Sequence, residues 1–219
     1  MPLHSHITNE GNLQLALWTI SENSEDLKKK LSHGFQEAAM EKRANQANAL
    51  HYLASRCIIK EIFPNQLVLL NKNEFNQPTL LVNQKPFHIS ITHAADMAGI
   101  YVSEQHLPGL DLEKIDPRIA RVKHKFMNQL ELDFAGAENQ INLQTLIWSA
   151  KEALYKVYGK KELDFKEHLQ IHPFGLNQTN AGTFVGTIKK DNFFQKHKIH
   201  YQIISNIVLT YTSTYDAEN

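Results

Sequence analysis

A chain of 219 residues can bury a substantial core and has room for one domain or two small ones. Lys plus Arg and Asp plus Glu both total 23, so the formal net charge is zero and nothing points to a broad polyanion-binding surface or to nucleic acid as a partner. The single cysteine, Cys57, lies beside Ile58 and Ile59 and reads as a small core residue; together with a polar start and no apolar run near the ~20 residues of a membrane span, it leads to the expectation of a soluble cytoplasmic protein that neither binds nor crosses a membrane.

Residues 1–12 are polar and read as a frayed terminus, in which His4 and His6 are given no role. Residues 13–20 alternate as a strand, and a polar stretch then leads into a short helix ending near Ser32. A long helix is expected from about Phe35 to Phe63, where Leu50, Leu53, Ala54, Cys57, Ile58 and Phe63 recur near the 3.6 period and Pro64 stops it. Strands follow at 67–70, 79–82, 88–92 and 99–103, short aliphatic or β-branched runs separated by turn residues.

The second half repeats that order. A strand at 110–115 leads to a helix from Pro117, which Asp116 can cap. A long amphipathic helix covers about 142–158 with an apolar stripe of Leu143, Leu146, Ile147, Ala150, Leu154 and Val157, and Gly159 is placed to end it in a left-handed turn. Strands return at 169–171, 184–188, 199–204 and 207–213. The expected fold class is α+β: two similar, pseudo-duplicated lobes, 1–107 and 108–219, each with helices packed on a small, mainly antiparallel sheet. A cleft between two such lobes is a natural place for a ligand.

Three segments carry candidate chemistry. In Gly109-Leu110-Asp111-Leu112-Glu113 the carboxylates alternate with leucines, so a strand puts Asp111 and Glu113 on one face about 6–7 Å apart, able to grip a cation; an acidic solvent face of an ordinary strand is the plainer account. In the long helix, Trp148, Glu152 and Lys156 are spaced i, i+4, i+8 and form one ridge off the main apolar stripe. An ordinary Glu–Lys surface pair would explain two of the three, but not the tryptophan. The third segment, 88–94, is an alternating strand ending in a histidine, His93, which taken alone is edge material.

Together and in this order, residues 109–113, Trp148-Ser149-Ala150-Lys151-Glu152-Ala153-Leu154-Tyr155-Lys156 and Ser90-Ile91-Thr92-His93 resemble the 4′-phosphopantetheinyl transferase superfamily, in its two-lobed, surfactin-synthetase-activating type. The similarity extends through 119–131, which resembles a helix ending in Phe-x-x-x-x-Glu, and through 53–60, and so covers most of 50–165. Thr92 stands where a serine is usual, Gln77 where a lysine is usual, and Asn48 and Ala49 where relatives often have arginines; Pro108 precedes Gly109 in place of a common valine.

The resemblance implies an enzyme that transfers the 4′-phosphopantetheine group from coenzyme A to a serine of an apo acyl or peptidyl carrier protein, releasing adenosine 3′,5′-bisphosphate. Asp111, Glu113 and Glu152 would hold Mg²⁺, Lys156 would meet the pyrophosphate with Lys151 as a second cation, and Glu152 would take the serine proton, directly or through a metal-bound water. His93 with Thr92 would lie at the 3′-phosphate, and Arg56 either there or in a structural ion pair. Coenzyme A would occupy the cleft between the lobes of a monomer. The competing expectations are a module that binds coenzyme A or a carrier protein without transfer, and a different Mg²⁺-dependent pyrophosphate enzyme.

Overall fold

The aliphatic runs separated by Asn- and Gly-containing turns pair, in this computed structural model, into two sheets, one in each of two units, Met1–Leu107 and Pro108–Asn219. The structure describes residues 3–9, 13–31, 35–36, 46–160 and 162–214, and of residues 3–9, 35–36 and 46–48 the backbone alone. Among the described residues no helix is long and apolar enough to cross a membrane.

The first unit runs β1 (Leu3–Asn9), β2 (Leu13–Thr19), α1 (Ser24–Leu31), β3 (Phe35–Gln36), α2 (Gln46–Ile62), β4 (Val68–Lys72), β5 (Pro78–Val82), β6 (Lys85–Ala94) and β7 (Met97–Ser103). Its sheet order is β1-β2-β7-β6-β5-β4-β3, antiparallel except for the short parallel pairing of β3 with β4. Asn23 starts α1 by accepting the Glu25 and Asp26 amides, both at 3.0 Å, and the i, i+4 pair Leu27 and Leu31 turns the helix onto α2. The core then fills from Trp18, Leu53, Ala54, Cys57, Ile58, Val68, Leu80 and Ile100. Burial pushes the Cys57 thiol up to about 12, so no thiolate forms near neutrality and the residue is a core hydrophobe.

Two expectations for this unit are corrected. Residues 3–9 are not a frayed end but a strand, paired with β2 from Leu3↔Trp18 to Asn9↔Leu13. Phe35 and Gln36 do not open the long helix; their backbone pairs with Val68 and Leu69, and α2 is seen from Gln46. Ser32, residues 37–45 and the side chain of Asn48 lie outside the described residues.

The second unit runs β8 (Pro108–Lys114), α3 (Ile119–Val122), a 3₁₀ turn (Lys123–Lys125), α4 (Gln129–Ala135), α5 (Ile141–Tyr158), β9 (Leu169–Ile171), β10 (Ala181–Lys190), β11 (Phe193–Ile204) and β12 (Ile207–Ser213). All pairings are antiparallel, in the order β8-β12-β11-β10-β9. The same path occurs in the first unit, where β2-β7-β6-β5-β4 also sets the opening strand beside the last one and then steps back through the meander. In each unit the longest helix packs on those two neighbours, α2 on β2 and β7, α5 on β8 and β12. The chain is thus an α+β pseudo-duplication, with β1 and β3 added at the two edges of the first sheet.

The single helix expected over 119–131 is broken. After the 3₁₀ turn, Asn128 opens a new helix as a capping box: its Oδ1 accepts the Glu131 amide at 3.0 Å, and Glu131 Oε2 accepts the Asn128 amide at 2.8 Å. Glu131 therefore sits in the first turn of α4 and not at the end of an earlier helix. Gly159 does end α5 as the spacing requires, with φ 69° and its amide bonded to the Tyr155 carbonyl.

Candidate active site

The site in the second unit is built where β8 lies against α5. Pro108 can begin β8 because this strand is an edge of its sheet, paired among the described residues on one side only, with β12. Gly109 follows because nothing larger fits: a Cβ there would collide with the Ala153 carbonyl oxygen and the Val157 Cγ2 of α5. This close approach brings the acidic strand to the helix. Ser149 Oγ and Thr210 Oγ1, 2.8 Å apart and buried, tie α5 to the neighbouring β12.

Asp111 is not on a solvent face; it is only 6% exposed. Lys156 Nζ donates to Asp111 Oδ1 at 2.8 Å and to the Leu110 carbonyl at 2.7 Å, so the last cation of the helix is fixed on the strand and does not make the surface hydrogen bond to Glu152 that the i, i+4 spacing offers. Two of the three ammonium hydrogens are used in this way. Glu113, half-buried, accepts the Trp148 indole N–H at 3.1 Å on Oε2. That contact accounts for the tryptophan, whose ring also packs against Phe126 and Phe165 at centroid distances of 5.1 and 5.4 Å.

The three carboxylates feel one another. Burial, and then the charge of Asp111, raises the pKa of Glu113, against the opposing hydrogen bond from Trp148. Burial, then Asp111, also raises Glu152, with Lys156 opposing and Glu113 adding to the rise. Like charges held this close favour either a proton or a cation. The donor set is hard oxygen throughout, which suits Mg²⁺ and not a thiolate- or imidazole-seeking metal. Among the described residues no three His, Cys, Asp or Glu side chains are drawn together tightly enough to form a ready cage; Asp111 is engaged by Lys156 and Glu113 by Trp148. The residues fit the ion in kind and in electrostatic need.

Lys151 is a correction. The resemblance implies a second cation for the pyrophosphate at this position, but the side chain is fully buried, and its three N–H groups are all taken: by the Phe126 carbonyl, the Phe165 carbonyl and Glu131 Oε2, each at 2.7 Å. Glu131 is equally buried and also accepts the Ile171 amide at 2.7 Å on Oε1. Burial pushes the Glu131 carboxyl up and the Lys151 ammonium down, and the ion pair with its hydrogen bonds opposes both shifts. A signal for this exists in the spacing: Lys151 stands at i+4 from Ile147 and i−3 from Leu154, on the apolar side of α5, where a lysine needs buried acceptors. Glu131 and Phe126, the ends of the Phe-x-x-x-x-Glu pattern, supply two of them.

The remaining candidates lie in the first unit. Thr92 is buried near the end of β6, and His93 beside it is exposed, its ring stacked on that of His51 with centroids 4.3 Å apart and planes within 4°. His51 Nε2 donates to the Ala95 carbonyl at 2.8 Å, which anchors the stack to the two-residue turn into β7. Sequence reasoning misses His51, because one histidine on a helix carries no signal by itself. Arg56 lies over the Tyr52 ring at 3.7 Å and donates to Ser55 Oγ at 2.9 Å. Ala49 is half-buried on α2 and offers no polar group.

No curated protein sequence matches the chain. Residues 108–212, the span from the start of β8 almost to the end of β12, match the model of the 4′-phosphopantetheinyl transferase superfamily. The acidic strand, the Trp148–Lys156 helix and the buried Glu131–Lys151 pair all fall within that span, so the second unit, with its acidic site, is similar to the 4′-phosphopantetheinyl transferase superfamily.

Proposed function

We propose that the protein transfers 4′-phosphopantetheine from coenzyme A to the serine hydroxyl of an apo carrier protein, releasing adenosine 3′,5′-bisphosphate, and that it does so with Mg²⁺. The observation that carries this reading is the Lys156–Asp111 contact, which joins the acidic strand to the helix and leaves one ammonium hydrogen available to a phosphate oxygen. Asp111, Glu113 and Glu152 would hold the ion, which when bound neutralises charge on the pyrophosphate and polarises the phosphorus.

The chain's own groups take the other parts. Lys156, 26% exposed at its side chain, binds and orients the pyrophosphate and stabilises charge on the leaving oxygen. Glu152 lies one turn before it, and the burial that raises its proton affinity makes it the stronger base for the serine proton, directly or through a water. In the balance of the step, the serine oxygen bonds to the phosphorus bearing pantetheine and the bond from that phosphorus to the bridging oxygen breaks. The electron pair leaves with adenosine 3′,5′-bisphosphate, and the serine proton goes to the base. His93, Arg56 and Thr92 are proposed as nucleotide contacts, and the His51 stack supports this by holding the exposed His93 ring in one orientation.

The test is chromatographic. Coenzyme A, Mg²⁺ and an apo carrier protein are incubated with the chain, and adenosine 3′,5′-bisphosphate is followed. Release that requires the carrier serine supports transfer; release with a Ser→Ala carrier at the same rate shows hydrolysis, and no release removes the proposal.

A further inference from the structure

Trp148 is absent from the set of groups that touch metal or substrate, yet its indole contacts a candidate metal ligand. Indole can only donate, and the partner its N–H finds is the Glu113 carboxylate, 3.1 Å away, reached from α5 to β8. The other oxygen, Oε1, accepts the Lys114 amide at 3.2 Å. Each oxygen thus accepts one hydrogen bond from the protein, which fixes the plane of the carboxylate and leaves each a further lone pair. The donor is itself immobilised, since the indole is clasped between Phe126 and Phe165. Phe126 and Phe165 in turn present their carbonyls to Lys151, so the aromatic clasp stands on the buried Lys151–Glu131 pair.

We infer that Trp148 is a positioning residue for Glu113: its indole N–H sets the orientation in which that carboxylate meets a divalent cation, and its emission reports the cation's arrival. The inference rests on the proposed reading of Asp111, Glu113 and Glu152 as the Mg²⁺ site. A tryptophan needed only for packing would have its ring contacts and no carboxylate on its nitrogen. An oriented acidic ligand is the usual product of such a donor, and loss of a donor of this kind commonly weakens metal binding by about 10–100-fold.

Trp148→Phe keeps an aromatic ring for Phe126 and Phe165 and removes the N–H together with the second ring of the indole. Calorimetric titration with Mg²⁺, at a fixed concentration of coenzyme A, is expected to show affinity reduced by about tenfold or more in a variant that still melts cooperatively, at a somewhat lower temperature for the lost ring packing. A second measurement does not depend on that variant's folding. The chain has two tryptophans, so Trp18→Phe leaves Trp148 as the sole indole; its emission should change on adding Mg²⁺, and Glu113→Gln in the same background should abolish the change. Parent protein that binds Mg²⁺, with Trp148→Phe binding equally and with silent Trp148 emission, overturns the inference and leaves the metal reading standing. Parent protein that takes up no Mg²⁺ in the presence of coenzyme A overturns both.

Discussion

Lys156 and Asp111 are 45 residues apart in sequence and meet at 2.8 Å, the ammonium of the long helix on the carboxylate of the edge strand. The contact depends on the glycine two positions before the aspartate, whose missing Cβ lets β8 press against α5. Lys156→Ala is therefore expected to do two things. Loss of transition-state stabilisation on the pyrophosphate should lower kcat/KM by about two or more orders of magnitude, each tenfold being about 1.4 kcal/mol. Stability should fall by roughly 1 kcal/mol, because Asp111 loses the Lys156 hydrogen bond at a site that is only partly open to solvent. Lys156→Arg should rescue stability better than turnover, since the guanidinium keeps the charge but not the compact three-donor geometry. Initial rates and thermal melts on the same preparations check both halves.

Gly109→Ala tests the close approach directly. The added methyl group has backbone on one side and Val157 on the other, so the strand must retreat, at a cost of about 1–3 kcal/mol or more. Chemical unfolding should register that loss, and transfer should fall with it as Asp111 is carried away from Lys156. Parent-like stability would mean that β8 is not held against α5 as described.

Lys151→Met separates a structural lysine from a catalytic one. Glu131 would be left buried with only backbone donors, and destabilisation of about 3–5 kcal/mol is expected for breaking a pair of this kind from one side. Adding Glu131→Gln should recover part of the loss, because the uncompensated charge is removed. Urea unfolding of the two variants is the measurement. A lysine that merely contacts substrate would leave the unfolding midpoint unmoved.

The acidic cluster also gives a pH signature. Glu113 and Glu152 are raised by burial and by Asp111, so in the folded state they hold protons above the pH at which the unfolded chain has released them. Stability from these groups is therefore full below the unfolded pKa, near 4.3, and is lost as pH rises through their folded values. Glu152→Gln should accordingly melt higher than the parent at neutral pH, with the difference vanishing in acid, while transfer drops by about two orders of magnitude or more. Mg²⁺ should bind more tightly as pH rises through the same window, since it competes with protons for these oxygens. Melting curves across pH, with and without Mg²⁺, read out both effects.

Much of the fold is legible in local sequence signals. The apolar period of α5 and its glycine terminator correspond to a helix at nearly the same bounds, and the alternation at 88–92 lies inside a strand, β6, that extends beyond it at both ends. The departures are non-local or hidden within a longer pattern. Residues 3–9 form a strand because β2 offers them a partner, which polar composition does not reveal. The break between α3 and α4 turns on Asn128 and Glu131 capping each other, a short signal masked by the helical period around it. Asp111 is less open than its alternation with leucines suggests, since spacing places a residue on a face but does not say what covers it, whereas the buried Lys151 follows the apolar spacing of its helix. Trp148 stands out in the sequence as unexplained, and its partner Glu113 lies 35 residues away.

The most direct measurement is the intact mass of an apo carrier protein after incubation with coenzyme A, Mg²⁺ and the chain, run beside Asp111→Ala. With the parent protein the carrier should gain the mass of one phosphopantetheine arm, dependent on the carrier serine, abolished by chelator and restored by Mg²⁺; with a folded Asp111→Ala the gain should be nearly absent. An unmodified carrier with the parent protein, or equal modification by Asp111→Ala, would contradict the assignment of transfer to this acidic site.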